Sequence, residues 1–179
     1  MSAHVFVDES VRSQQYLVSA ALVDPSDLAR LRKELRNLLL PGQRELHFQK
    51  EKPQRRRQLA DRIVAAGATV TVYTACCHDG DETARRRCLR QLAHDLITAG
   101  AHRLVLDSRE GRDVLDARTL RTTLGAQPSR GGLAYEHLDS TQEPLLWIPD
   151  ALGWCYGARG DWHRRVAAAI NAVIDCDQL

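Results

Sequence analysis

The chain has 179 residues, of which 44% are hydrophobic and 27% charged, with a formal net charge of +2. That length suits one packed domain spanning residues 1–179 and is short for two. The near-neutral balance excludes a globally basic nucleic-acid-binding protein, so any polyanionic partner must be met by a local patch. No apolar run approaches the roughly 18 residues of a membrane helix, and "MSA" passes into strand pattern without an apolar signal core, so a cytoplasmic protein is expected. Five irregularly spaced cysteines do not form a disulfide framework and are expected as reduced, packed thiols.

In chain order, "HVFVDES" (His4 to Ser10) and "QQYLVSAALV" (Gln14 to Val23) are apolar and β-prone, and their short polar link predicts a hairpin. "DPSDLARLRKELRNLLL" opens with Pro25 and Asp27 and aligns Leu28, Leu31, Leu35 and Leu38 as one helical face. "RELHF" reads as short and extended. "KPQRRRQLADRIVAAG" predicts a helix from Pro53 that closes at Gly67. "ATVTVYTACC" predicts a strand, and "DETARRRCLRQLAHDLITAG" predicts a helix with Leu89, Leu92 and Leu96 inward.

"HRLVLD" has the near-continuous apolar character of a central strand, "GAQPSRGG" (Gly125 to Gly132) that of a mobile loop, and "GLAYEHLDS" is a weaker strand. "EPLLWIPDALGWCYGAR" and "DWHRRVAAAINAVI" predict two final helices. Strands alternating with helices, with a hairpin at the start, imply an α/β fold with a mixed sheet flanked by helices.

Two apolar strands end in acids, Asp8 and Asp107. In open α/β sheets ligands collect beyond the carboxyl ends of strands, so neighbouring parallel strands would bring both acids to one edge. Glu45 in "RELHF" and Asp150 in the apolar stretch "LLWIPDALGW" are further candidates. Clustered carboxylates repel unless protonated or neutralised by a cation, and hard oxygen ligands select Mg²⁺ or Mn²⁺. Two such ions about 4 Å apart support phosphodiester hydrolysis. The plainer alternatives are that Asp8, Glu9 and Ser10 are hairpin-turn residues, that Asp107 caps a loop, and that Asp150 pairs with an arginine.

The motifs "HVFVDES", "ELHF", "RLVLD" and "EPLLWIPDALGW", in that order, resemble the domain-of-unknown-function 3800 (DUF3800) family, which is similar to the ribonuclease H-like superfamily of metal-dependent nucleases. The resemblance implies a ribonuclease H-like fold with Asp8 as first-strand metal ligand and Glu9 beside it. It further implies Glu45 and His47 near the site, Asp107 as the inner-strand acid and Asp150 as the late-helix acid, with Asp8, Glu45, Asp107 and Asp150 holding the metal. One departure is visible: the family often has glutamine three residues before the last acid, where this chain has Trp147, and an indole only donates a hydrogen bond.

Trp147, Asp150 and Trp154 fall on one helical stripe, with Pro149 as a helix start or kink. "CCHD" lacks the spacing of a zinc site, and no nucleophile elbow, phosphate-binding glycine loop or dinucleotide fingerprint is present. Arg85, Arg86 and Arg90 lie close enough on a helix to form a phosphate-contacting ridge, while 5% aromatic content argues against base stacking as the main activity. Two functions remain: a metal-dependent nuclease acting on DNA or RNA, or a non-catalytic binding module. The second would hold a protein or nucleic-acid partner, or a second copy as a homodimer, through helices bearing Trp147, Trp154 and Trp162.

Overall fold

The structure, a computed structural model, describes residues 3–109, 111–125 and 132–178. Its strands are β1 (His4–Arg12), β2 (Gln15–Val23), β3 (Val70–Cys76), β4 (Arg103–Asp107), β5 (Ala134–Leu138) and β6 (Ile170–Asp175). They form one sheet in the order β5-β4-β1-β2-β3-β6. The β1·β2 and β2·β3 pairs are antiparallel, whereas β1·β4, β4·β5 and β3·β6 are parallel, so the sheet is mixed. The helices are α1 (Leu28–Arg36), α2 (Pro53–Ala65), α3 (Asp81–Thr98), α4 (Asp113–Leu124), α5 (Trp147–Ala158) and α6 (Gly160–Val166). Among the described residues no helix is long and apolar enough to cross a membrane.

Strand alternation divides the core in two. Phe6, Leu17, Ala21, Val72 and Val105 face one way and pack with α1, α2 and α5. Val5, Val7, Val18, Leu104 and Leu106 face the other way and pack with α3 and α4. β1 runs four residues past Asp8, and its turn is made by Ser13 (φ 48°) and Gln14 (φ 61°), the two left-handed residues that a two-residue hairpin requires. Asp8, Glu9 and Ser10 are therefore strand residues, not turn residues.

Three differences from the sequence reading have physical reasons. "INAVI", expected to end the last helix, is strand: its β-branched residues pair with β3, and long-range pairing overrides the helix preference of the preceding alanines. α4 was not anticipated, although Asp113 and Asp116 stand in its first turn and Gly125 follows its end. "RELHF" pairs with no strand among the described residues and leads into a 3₁₀ turn at Phe48–Lys50. Of the two alternatives for Pro149, the helix start agrees with the structure: it lies in the first turn of α5, where backbone N–H groups have no helical acceptor to lose. Most of the segment "GAQPSRGG" lies outside the described residues.

α5 lies unusually close to the sheet. A Cβ at Gly153 would sit 2.9 Å from Ser19 Cβ, and one at Gly157 would sit 2.8 Å from Leu17 Cδ1. Spaced four apart, the two glycines form a smooth stripe that lets the helix backbone rest on β1 and β2. Their absence of side chains sets how near Asp150 approaches Asp8.

On the opposite face a buried ion network ties β1 to α3 and α4. Arg85, 3% exposed, donates from Nε to Asp116 Oδ1 at 2.6 Å and from Nη1 to Tyr16 Oη at 2.9 Å, and it pairs with Glu9. His137 Nε2 lies 3.2 Å from Asp116. Arg85 is thus enclosed by carboxylates and offers no cation to a phosphate. The ridge with Arg86 and Arg90 does not form, and those two side chains are exposed on the helix face away from this network.

Two substitutions test these supports. Arg85→Gln leaves Glu9 and Asp116 buried without their cation and is expected to destabilise the fold by about 3–5 kcal/mol in urea unfolding, against a near-neutral Arg90→Gln. Gly153→Ala is expected to cost about 1–3 kcal/mol, because β-strand side chains under α5 have no room to yield.

Candidate active site

The site is built by three elements meeting at one edge of the sheet. β1 and β4 are adjacent and parallel, with Val7 opposite Leu106, so the next residues along each strand are Asp8 and Asp107. Both point to the face covered by α5, as Phe6 and Val105 do two residues earlier. α5 adds Asp150 from its first turn, where the positive end of the helix dipole favours a carboxylate. The backbone N–H of Phe48 donates to Asp150 Oδ2 at 3.0 Å. Asp8, Asp107 and Asp150 line a cleft of about 360 Å³ together with His47, Arg109, Ser140 and Trp147.

The electrostatics follow from this crowding. Burial, and then the neighbouring charge of Asp8, push the Asp107 carboxyl up to about 7. Burial and the same Asp8 charge push Asp150 up to about 7, against the Phe48 hydrogen bond. Burial also raises Asp8, opposed by the Arg109 guanidinium. Three carboxyls thus compete for protons in one small space, a charge pattern typical of functional sites.

The sequence-predicted residues divide as follows. Asp8, Asp107 and Asp150 come together, with His47 exposed at the rim. Glu45 lies within electrostatic range of Asp107, and its carboxylate accepts a hydrogen bond from Ser140 Oγ. Glu9, by contrast, sends its side chain through the sheet to Arg85. The adjacent acids of "VDES" therefore point to opposite faces, with Glu9 held by Arg85 and Arg109.

Trp147 has a structural role. It is 2% exposed, and its Nε1–H donates to the Ser140 carbonyl at 2.9 Å, holding the residue whose hydroxyl meets Glu45. It cannot anchor a partner chain. Trp154 and Trp162 are half-buried and stack with Phe48 at centroid distances of 5.4 and 6.5 Å.

Arg109 is the residue that sequence reasoning missed. It follows β4 in a loop, with no motif to mark it, and bridges the two faces: Nη2 lies 3.2 Å from Asp8 Oδ1 and Nη1 lies 2.9 Å from Glu9 Oε1. It is the cation that balances Asp8 in this structure.

Whether these residues suit a divalent cation depends on the donor set. Asp8, Asp107 and Asp150 supply hard oxygens, and among the described residues no hydrogen bond is among the main influences on the Asp107 carboxyl. Among the described residues no three acidic, histidine or cysteine side chains already converge as a ready-made cage. The chemistry of the donors fits Mg²⁺ or Mn²⁺, with Arg109 occupying part of the charge that a cation would otherwise meet.

No family model matches the chain, and no curated protein matches its sequence. A solved structure does: the PCNA:RNase HII complex from Archaeoglobus fulgidus, at 18% identity and a TM-score of 0.58, with 92% of this chain and 77% of that chain covered. At that identity the likeness concerns architecture. The mixed six-stranded sheet with helices on both faces is a ribonuclease H-like fold.

Proposed function

We propose that this protein is a divalent-metal-dependent nuclease that hydrolyses phosphodiester bonds of DNA or RNA, in keeping with its resemblance to the DUF3800 family. The observation that carries the reading is the convergence of Asp8, Asp107 and Asp150 in one cleft on a fold shared with an RNase HII structure. Asp8, Asp107 and Asp150 would hold Mg²⁺ or Mn²⁺, with Glu45, steadied by Ser140, at the margin. When bound, such ions activate water and stabilise a leaving oxygen. His47, exposed at the rim, is placed to exchange a proton with solvent. Arg109 can meet a phosphate oxygen from the same side as it meets Asp8.

A second reading, a non-catalytic member that binds a protein or nucleic-acid partner, is favoured by one observation: Asp8 already has a cationic partner in Arg109. Calorimetric titration with Mn²⁺ and Mg²⁺ separates the two. The nuclease reading expects binding in the wild type that Asp8→Asn and Asp107→Asn each abolish. At 100 times the dissociation constant the ion adds about 2.7 kcal/mol of stability, a rise in Tm of about 5–10 °C for a chain of this size. Folded protein that binds neither ion, in the presence of oligonucleotide as well as without it, would favour the binding module.

The raised carboxyls also fix a pH dependence for the metal-free protein. Asp107 and Asp150 have an ordinary value of 3.8 and are held near 7 when folded, so between those values the folded state binds more protons than the unfolded state. Their contribution to stability therefore falls as pH rises from about 4 to about 7 and then levels off. Urea midpoints in chelator at pH 5 and pH 8 should show a smaller drop for Asp107→Asn than for the wild type. An equal drop in both would remove Asp107 from the cluster. Metal affinity should rise over the same interval, because binding must displace those protons.

A further inference from the structure

On the α5 side of the sheet, arginine and tryptophan alternate in a single file that passes the acidic side chains at Trp154. β1 places Asp8, Ser10 and Arg12 on one face, so Arg12 stands about 13 Å along the strand from Asp8. The Arg12 guanidinium carbon lies 4.6 Å from the Trp154 ring centroid, and that of Arg56 lies at the same distance. Arg56 also reaches Trp162, at 5.7 Å, as does Arg57, at 5.6 Å. The two indoles meet edge to face at 5.3 Å. The order is Arg12, Trp154, Arg56, Trp162, Arg57.

The file touches the acid side at Trp154, one place in from its Arg12 end, and a wider groove at its Arg57 end. Trp154 lines a pocket of about 90 Å³ shared with Asp8, Asp150, His47 and Ser19. Three polar atoms of residues lining that pocket, Ser10 Oγ, Ser19 Oγ and Trp154 Nε1, are buried without a hydrogen-bond partner among the described residues. At the other end, Trp162 and Arg57 line a groove of about 600 Å³ with Arg164 and Arg165. The acids in that groove are already neutralised, Asp61 by Arg165 at 2.6 Å and Asp161 by Arg164.

Most arginines near the sheet edge are matched to carboxylates, as Arg85 and Arg109 are. Arg12, Arg56 and Arg57 have no carboxylate partner among the described residues. Arg56 donates its Nε–H to the Glu51 carbonyl at 2.9 Å and keeps its Nη donors for an anion; a guanidinium held over indole loses little further entropy when it meets one. We propose that this file is the track for one single-stranded nucleic-acid backbone, leading from the 600 Å³ groove to the acid cleft, with phosphates on Arg12, Arg56 and Arg57. The indole faces are covered by guanidiniums, so they stiffen the cations and do not stack bases. One row of cations matches one backbone, whereas a duplex presents two backbones across a groove about 12 Å wide. The proposal rests on the nuclease reading for what happens at the end of the track, but strand binding itself needs no metal.

The test is fluorescence anisotropy of a labelled single-stranded oligonucleotide, DNA and RNA in turn, in chelator so that neither metal binding nor cleavage enters. Three phosphate contacts predict a slope of about −2 in log affinity against log salt. Arg12→Gln/Arg56→Gln/Arg57→Gln should bind at least about tenfold more weakly at about 100 mM salt with a slope near zero. Arg86→Gln/Arg90→Gln, on the other face of the sheet, should match the wild type. Should the triple variant fail to fold, the exposed Arg57→Gln alone should lower the slope by about 0.7, and Arg57→Lys should restore it. Wild-type affinity and slope in the glutamine variants would overturn the track. So would loss of binding in the Arg86/Arg90 variant, or tighter binding of duplex than of single strand. A protein that binds strands this way yet binds no metal would keep the track and lose the nuclease.

Discussion

The parallel pairing of β1 with β4 is the constraint on which the site depends. Once Val7 stands opposite Leu106, the carboxylates that follow on both strands must emerge side by side on the same face. Neither strand can slip by one residue to separate them, because the same slip would turn Phe6 and Val105 out of one core and Val5 and Leu104 out of the other. The hydrophobic effect on two buried faces thus holds two like charges together. Burial first, and then this repulsion, raise the Asp107 carboxyl above the ordinary carboxylate range.

The helix above completes the arrangement by its lack of side chains. With glycine at 153 and 157, α5 descends onto β1 and β2 until Ser19 and Leu17 are in contact distance of its backbone. That descent carries Asp150 into the field of Asp8 and Asp107. Beneath the sheet the Arg85 network performs the complementary task. It holds Glu9, and through Glu9 the register of β1, against α3 and α4. Arg109 closes the circuit by touching both acids of the pair from the strand edge.

Much of this was legible in the residues. Apolar runs ending in acids at 8 and 107, and an acid with no structural excuse at 150, located the cluster because burial patterns are local and charges inside them are conspicuous. The hairpin and the helices beginning at Pro53 and near Asp81 were marked by turn and cap residues. What escaped was decided at long range. β6 is recognisable as a strand only from its partner β3, and Arg109 is one arginine among many until the fold sets it beside Asp8. Arg85 looked like a surface cation because helical periodicity around "ARRRCLR" cannot say which arginine meets Glu9 and Asp116. The tryptophans were legible as important but not as covered: the guanidiniums over Trp154 and Trp162 come from β1 and α2, far away in sequence.

The distribution of paired and unpaired arginines bears on how one chain with a net charge of only +2 could handle a polyanion. A cation held by a buried carboxylate contributes to folding and nothing to the external field, as Arg85 does. A cation held by an indole face keeps its full charge and its donors, because a ring quadrupole stabilises it without neutralising it. Arg12, Arg56 and Arg57 are of the second kind, and Trp154, over which two of them lie, lines a pocket with Asp8 and Asp150. A backbone phosphate approaching Asp8, Asp107 and Asp150 alone would be repelled. Were a strand to bind as proposed, the guanidiniums over the indoles, with Arg109 at the edge of the cleft, would offset repulsion at one phosphate by attraction at its neighbours. Under the proposed function, the excess of carboxylate over guanidinium within the cleft would be left for a metal ion to balance. The same few side chains would then separate two electrostatic tasks, strand capture and cation binding, that a uniformly basic surface would set against each other.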